Sequence, residues 1–269
     1  MSSIVNSMYN LRLLEDLARL ETVIHRVHPL AKLLTTITYL IVVVSFDRYE
    51  ITALLPLLFY PVLVLVLADI PAWPIIKKVL LVQPLIIGIG ILNPWFDHQV
   101  IAVGGMLLSK GWLTFISILL KGSLTIAAAF LLIVTTGMDG VARALRMLRV
   151  PRLFVLQLLL TYRYISVLME EVARTLRAYS LRSPKGKGIQ RPAWGSLVGQ
   201  LILRTFDRAE RVYQAMCLRG FTGEYHTGRQ RGLGPGDLAY AAVWVVFFVL
   251  AKVYNIPVLI GLLMTGGLR

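Results

Sequence analysis

Cysteine is almost missing. Cys217 is the only one in 269 residues, so no disulfide can form within the chain, and a paired-thiol redox site is excluded. Charge is scarce as well. Charged residues make up 16% of the chain, against about 25% in an ordinary soluble domain. Acids are half as frequent as bases, 14 against 28. The first thirty residues have no basic start followed by an apolar core, so they are not expected to be a secretory signal. No GxxxxGK[ST] phosphate loop occurs, so ATP, if it is used, is expected to be handled elsewhere. Hydrophobic residues, by contrast, reach 57% with a mean hydropathy of +0.72. That excess points to an all-α, polytopic membrane protein.

The net charge of +14 takes its meaning from its location. In a membrane protein Lys and Arg collect on the cytoplasmic side. This explanation is preferred to nucleic-acid binding, and no nucleic-acid partner is expected. Residues 139–234 hold 17 Lys or Arg against 6 Asp or Glu, whereas 93–109 hold no Lys or Arg. The first segment is therefore placed in the cytoplasm and the second outside.

A helix crossing about 30 Å of hydrocarbon needs about 20 apolar residues. Five stretches qualify: 30–46, 51–70 (with Pro56 and Pro61 inside), 79–92 (short, with a proline), 112–136 (with Lys121) and 237–264. About five transmembrane helices are expected, with four to six as the range, because 79–92 and 153–169 are ambiguous. Ahead of them, residues 10–27 place Leu13, Leu17, Leu20 and Ile24 on one face, the pattern of a surface-lying amphipathic helix. His28-Pro29 should end it. The expected division is 1–137, the amphipathic and transmembrane helices; 138–234, a cytoplasmic helical domain; and 235–269, a C-terminal transmembrane helix. The N-terminus falls on the cytoplasmic side.

The basic segment reads as helices. Residues 138–151 stop at Pro151. Residues 152–182 begin apolar all round and become amphipathic, with Ile165, Leu168, Val172, Leu176 and Tyr179 forming one stripe. After a Pro/Gly/Lys linker, 194–219 form a second amphipathic helix with Val198, Ile202, Phe206, Ala209, Val212, Tyr213 and Met216 on its apolar side. Each helix closes on the same phrase, "AYSLRS" at 178–183 and "AMCLRG" at 215–220. Aligned, Ala178 meets Ala215, Leu181 meets Leu218, Arg182 meets Arg219, and Ser183 meets Gly220. An arginine there suits the negative end of the helix dipole. Its planar fork can also pair with a carboxylate on another protein. The alternative is a pair of ordinary helix-ending arginines facing water or lipid phosphate.

These features resemble the transmembrane T component of energy-coupling-factor (ECF) transporters. That family carries two short signatures, Ala-Arg-Gly or Ala-Arg-Ser, near the ends of cytoplasmic coupling helices. Here Leu181-Arg182-Ser183 and Leu218-Arg219-Gly220 match in the arginine and the small residue, with leucine in place of alanine. "HPLAKLL" (28–34) is similar to the family's opening before its first span, and 138–223 is the best-matching region. The wording is nearest the cobalt/nickel branch, the CbiQ-like proteins. The resemblance implies a non-catalytic coupling subunit without a cofactor of its own. Its partners would be two ATPase subunits that hold ATP, a membrane substrate-binding subunit, and the lipid bilayer of the plasma membrane. The coupling residues it implies are Arg182 and Arg219, with Ala178, Leu181, Ser183, Ala215, Leu218 and Gly220 around them. The cargo would be cobalt or nickel.

Other chemistry is thinly represented. The histidines His25, His28, His98 and His226 do not converge as a tight metal site requires, and in the family the partner subunit holds the metal. No catalytic residue is assigned. Lys78 and Lys121, the lysines noted within apolar runs, are expected to snorkel or pair. Rival readings are a membrane-embedded lipid-processing enzyme, a T component for a vitamin, and a self-sufficient carrier. The enzyme would need clustered interfacial carboxylates or histidines, and the carrier related halves with midplane polar groups; neither pattern is found.

Overall fold

The computed structural model describes residues 17–18, 20–49, 51–96, 100–103, 106–182, 190–223 and 232–254. The chain divides into two units. Among the described residues, one holds 17–137 with 232–254, and the other holds 138–223.

In the first unit, a short helix α1 (Val23–Arg26) precedes α2 (Pro29–Ser45). The expected continuous helix over 10–27 is corrected: residues 20–22 are non-helical and Val27 is extended, while 10–16 lie outside the described residues. The residue before a proline is pushed toward extended backbone, and His28 sits at φ −59, ψ 134. Pro29 then occupies the first helical position, where a missing N–H costs nothing. The His28 Nδ1 caps the new helix by accepting from the Leu30 N–H at 3.1 Å.

The next apolar stretch breaks up around its prolines. It forms α3 (Ile51–Leu54), a 3₁₀ turn (Leu55–Leu58) and α4 (Phe59–Leu67). Pro61 cannot donate to the carbonyl four residues back, at Leu57. The buried Tyr39 hydroxyl donates to that carbonyl instead, at 3.1 Å. Tyr39 belongs to an aromatic cluster that joins α2 and α4 to α10 (Pro235–Val253). Ring centroids of Tyr39 and Tyr60 lie 4.7 Å apart, those of Tyr60 and Trp244 4.8 Å, and those of Tyr39 and Phe248 5.2 Å.

Helix α5 (Ala72–Gly90) runs through Lys77, Lys78 and Pro84, and so is longer than the apolar run at 79–92 suggests. A short helix α6 (Leu92–Phe96) follows. The expected outer loop contains an antiparallel pair, β1 (Val100–Val103) and β2 (Met106–Ser109), with Val103 opposite Met106. This hairpin is a small addition to an otherwise helical protein.

Helix α7 (Lys110–Met147) is two helical pieces, 110–136 and 138–147. Gly137 interrupts them at φ 68, ψ 159, a conformation essentially restricted to glycine. The first piece packs on α5, where a Cβ on Gly122 would come within 2.6 Å of Ile86. The Gln83 amide also donates to Ser123 Oγ at 2.5 Å.

Two lysines fasten α2 to α7. Carbonyls at a helix C-terminus lack intrahelical donors and carry partial negative charge. Lys32, 4% exposed near the start of α2, donates to the Thr135 carbonyl at 2.7 Å, just before the break at Gly137. Lys121 of α7 donates to the Phe46 carbonyl at the end of α2, at 2.6 Å. Each helix thus supplies the cation for the other's C-terminal end, which fixes them antiparallel. The expectation that Lys121 pairs is met by a backbone carbonyl.

Among the described residues, four helices are long and apolar enough to cross a membrane: Ala72–Trp95, Lys110–Met147, Arg152–Arg182 and Pro235–Val253. Two shorter apolar stretches, Pro29–Ser45 and Ile51–Leu67, accompany them. Large apolar side chains such as Val44, Val66, Leu80 and Val243 are more than half exposed. Hydrocarbon covers such a surface, and helices satisfy their backbone within it. The protein is an all-α, multi-pass membrane protein.

Candidate functional site

The second unit carries the two repeated phrases. Its first helical piece, 138–147, ends with Arg149 at φ 61, and the Val150 N–H returns to the Leu145 carbonyl. After Pro151, α8 (Arg152–Arg182) begins. Its first half is dominated by Leu, Val and Phe, and its second carries Glu170, Glu171, Arg174, Arg177 and Arg182. Helix α9 (Arg191–Leu218) follows, with Pro192 in its first turn.

Both phrases lie at helix ends and face outward. On α8, Ala178, Leu181 and Arg182 are exposed, with Leu181 82% accessible. On α9, Ala215, Leu218, Arg219 and Gly220 are exposed, with Leu218 90% accessible. Ser183 lies outside the described residues. Among the described residues, neither Arg182 nor Arg219 is engaged by a carboxylate.

The end of α9 has a defined geometry. Gly220 sits at φ 79. Its N–H donates to the Cys217 carbonyl at 2.9 Å, and the Phe221 N–H donates to the Met216 carbonyl at 3.0 Å. This is the paired closure of a helix by a left-handed residue, a place where glycine avoids a Cβ penalty. It fixes Arg219 as the C-cap, and the chain turns away immediately after it. The small residue after the arginine therefore has a backbone reason.

The second helix keeps only part of the face expected. Val198, Ile202, Phe206 and Tyr213 are exposed, by 43, 50, 72 and 61%, and Ala209 is exposed too, whereas Val212 and Met216 are half-buried as expected. With them, Leu197, Leu201, Thr205 and Arg208 make up the half-buried face. Beside it, Arg204 Nη1 reaches Glu171 Oε1 of α8 at 2.6 Å, while Arg174 Nη2 meets Glu171 Oε2 at 3.2 Å. The stripe expected on α8 fares better: Leu168, Val172, Leu176 and Tyr179 are half-buried, whereas Ile165 is 39% exposed.

A family model for CbiQ, described as cobalt transport protein, matches residues 21–229. The chain belongs to the CbiQ family. Among its relatives, the nickel permease LarQ of Lactiplantibacillus plantarum is 30% identical over 136 residues, 48% of each chain. The match thus spans about half the length of that permease. The uncharacterized protein MJ1571 of Methanocaldococcus jannaschii is 24% identical over 201 residues, covering 70% of this chain and 68% of the other.

In this CbiQ-family chain no group of three or more His, Cys, Asp or Glu could hold a metal among the described residues. His98 and His226 lie outside those residues. His25 and His28 serve the backbone. The Nε2 of His25 donates to the Leu17 carbonyl at 3.1 Å, and Thr22 Oγ1 lies 2.7 Å from its Nδ1. Burial, and then the Lys32 ammonium, hold the His25 imidazole below its ordinary pKa, so it stays neutral.

A polar junction in the first unit was missed by sequence reasoning. Asp237, 5% exposed near the start of α10, accepts from the His28 N–H at 2.8 Å and the Gly234 N–H at 2.9 Å. It also attracts the Lys32 ammonium. A carboxylate at a helix N-terminus and an ammonium at a helix C-terminus each meet the favourable end of a dipole. The only sequence signal was "HPLAKLL", whose lysine falls one turn after His28.

Proposed function

We propose that this chain is the energy-coupling transmembrane subunit of an ECF-type importer for cobalt or nickel ions. It sits in the plasma membrane with the charged half of α8, α9 and the N-terminus on the cytoplasmic side. Two ATPase subunits bind there, and a separate membrane subunit recognises the cargo. The chain itself is not an enzyme, and ATP is held by the ATPases.

The observation that carries this reading is the pair of exposed Leu-Arg ends. Each stands at the tip of an amphipathic helix, with no carboxylate on the arginine among the described residues. A guanidinium so placed is ready for a carboxylate on another protein. A leucine 82 or 90% exposed gains about 1.5–3 kcal/mol on full burial in a groove. Family membership and the nickel permease among the relatives support the choice of cargo.

The test is co-expression with candidate ATPases and purification from membranes. The intact chain should hold a stable complex and support ATP-dependent uptake of radioactive cobalt or nickel. Arg182→Glu with Arg219→Glu should lose both. A double variant that still assembles and transports refutes the role given to the arginines.

A further inference from the structure

The two helices that end in Arg182 and Arg219 touch, but little apolar surface holds them. The large side chains of α9, namely Val198, Ile202, Leu203, Phe206 and Tyr213, face outward and are 43 to 72% exposed. The half-buried face has Ala193, Leu197, Leu201, Val212 and Met216 as its apolar members. Apolar contact is non-directional, and a strip this narrow leaves the crossing of the helices weakly specified.

A charged contact supplies the direction. Glu171 is the least exposed charged side chain of this contact, at 15%, against 58% for Arg204 and 59% for Arg174. Both carboxylate oxygens are used: Oε1 takes Arg204 from the other helix at 2.6 Å, and Oε2 takes Arg174 from its own helix at 3.2 Å. Arg208, half-buried one turn further along α9, adds its charge to the same carboxylate. A carboxylate held through both oxygens by guanidinium groups has a defined geometry. A second tie lies nearer the linker, where the Gln190 N–H donates to the Tyr179 hydroxyl at 3.3 Å.

We infer that Glu171 and Arg204 brace the crossing of α8 and α9 and are positioning residues that set where Arg182 and Arg219 stand. The consequence for transport rests on the proposed function; the geometry does not. Eleven residues of helix, about 16 Å, separate Glu171 from Arg182. Fifteen, about 22 Å, separate Arg204 from Arg219. At those lengths, a rotation of about 10° at the brace moves the arginines by about 3 and 4 Å. That displacement is enough to break a hydrogen-bonded guanidinium–carboxylate contact with a partner.

The experiment uses the full chain in lipid nanodiscs with Cys217→Ser. Spin labels go on cysteines at Ser180 and Gln214, leaving both arginines intact. Pulsed EPR reads the distance distribution between the labels. Glu171→Gln and Arg204→Gln should each broaden it and shift its mean by about 3 Å or more. Arg204→Lys, which returns a cation to the same carboxylate, should give a narrower distribution than Arg204→Gln. In the ATPase complex, the two glutamine variants should lose uptake per ATP hydrolysed, and Arg204→Lys should keep more of it. An unchanged distribution in either glutamine variant, or an Arg204→Lys distribution no narrower than that of Arg204→Gln, overturns the brace. If the distances respond as expected but no form of the chain binds ATPases or supports uptake, the brace stands and the proposed function falls.

Discussion

Replacing Lys32 with methionine removes one ammonium and keeps most of the side-chain volume. Lys32 is 4% exposed; its Nζ donates to the Thr135 carbonyl at 2.7 Å and lies 3.4 Å from the His25 carbonyl. Loss of the donor leaves a buried carbonyl unsatisfied, at about 1–3 kcal/mol. Removing one partner of a buried ion pair costs about 3–5 kcal/mol when the other charge is left uncompensated. Asp237 is not left so, because the His28 and Gly234 N–H groups still donate to it at 2.8 and 2.9 Å. The desolvated ammonium itself carried a penalty, which methionine removes. The net cost should therefore be about 2–3 kcal/mol. For a domain of 150–250 residues each kcal/mol lowers Tm by about 2–4 °C, so a fall of roughly 4–12 °C is expected. Tryptophan fluorescence during heating of the purified chain in detergent measures it. Lys32→Met with Asp237→Asn should cost less than the sum of the two single changes, because the lost attraction is counted once. A fall under about 1 °C, or strict additivity of the pair, refutes the junction as a charge-coupled clamp.

Two further outcomes are expected. Gly220→Val puts a branched side chain at φ 79 and should cost about 1–2 kcal/mol at the end of α9. It should weaken the ATPase complex, whereas Gly220→Asn, which tolerates this conformation, should be mild; equal behaviour of the two refutes the backbone role. His25 has its folded pKa depressed below about 6.5, so the folded state binds fewer protons than the unfolded chain. The stability it contributes is complete above about pH 6.5 and is lost as pH falls through the depressed folded value. His25→Asn should flatten that part of a Tm-against-pH curve, and an identical slope in both proteins refutes the assignment.

The helices were legible where their signals are local. The runs that became α2, α5, α7 and α10 are apolar over enough residues to be read directly, and the phrase endings at Arg182 and Arg219 fall at helix ends as the pattern suggests. Lys77 and Lys78 shortened the apparent run of α5, because hydropathy marks an interruption where the backbone has none. The hairpin at 100–109 had a signal that went unused, two apolar runs flanking Gly104-Gly105. No local pattern could bring the Asp237 carboxylate to the His28 N–H across two hundred residues, or send the Tyr39 hydroxyl to the carbonyl that Pro61 leaves unbonded. Such contacts follow from tertiary packing. Much of the face of α9 was misread for a related reason: a helical wheel ranks side chains by hydrophobicity, whereas the Arg204–Glu171 contact depends on where the neighbouring helix lies.

The leucines before the two arginines bear on how the tips would grip. Alanine, the usual residue of the family signature, offers a groove little to bury. Leucine adds three carbons, worth about 2 kcal/mol or roughly thirtyfold in affinity if fully covered. Here those carbons lie almost wholly in the open, on the two most exposed leucines of the described chain. In a free-standing protein such residues contribute nothing to folding, and the adjacent guanidiniums are held by no carboxylate among the described residues. Under the proposed function, two apolar knobs beside two such cations suit a partner with an apolar notch and an acid at its rim, and they predict ATPase grooves with more room at that point than a partner built for alanine.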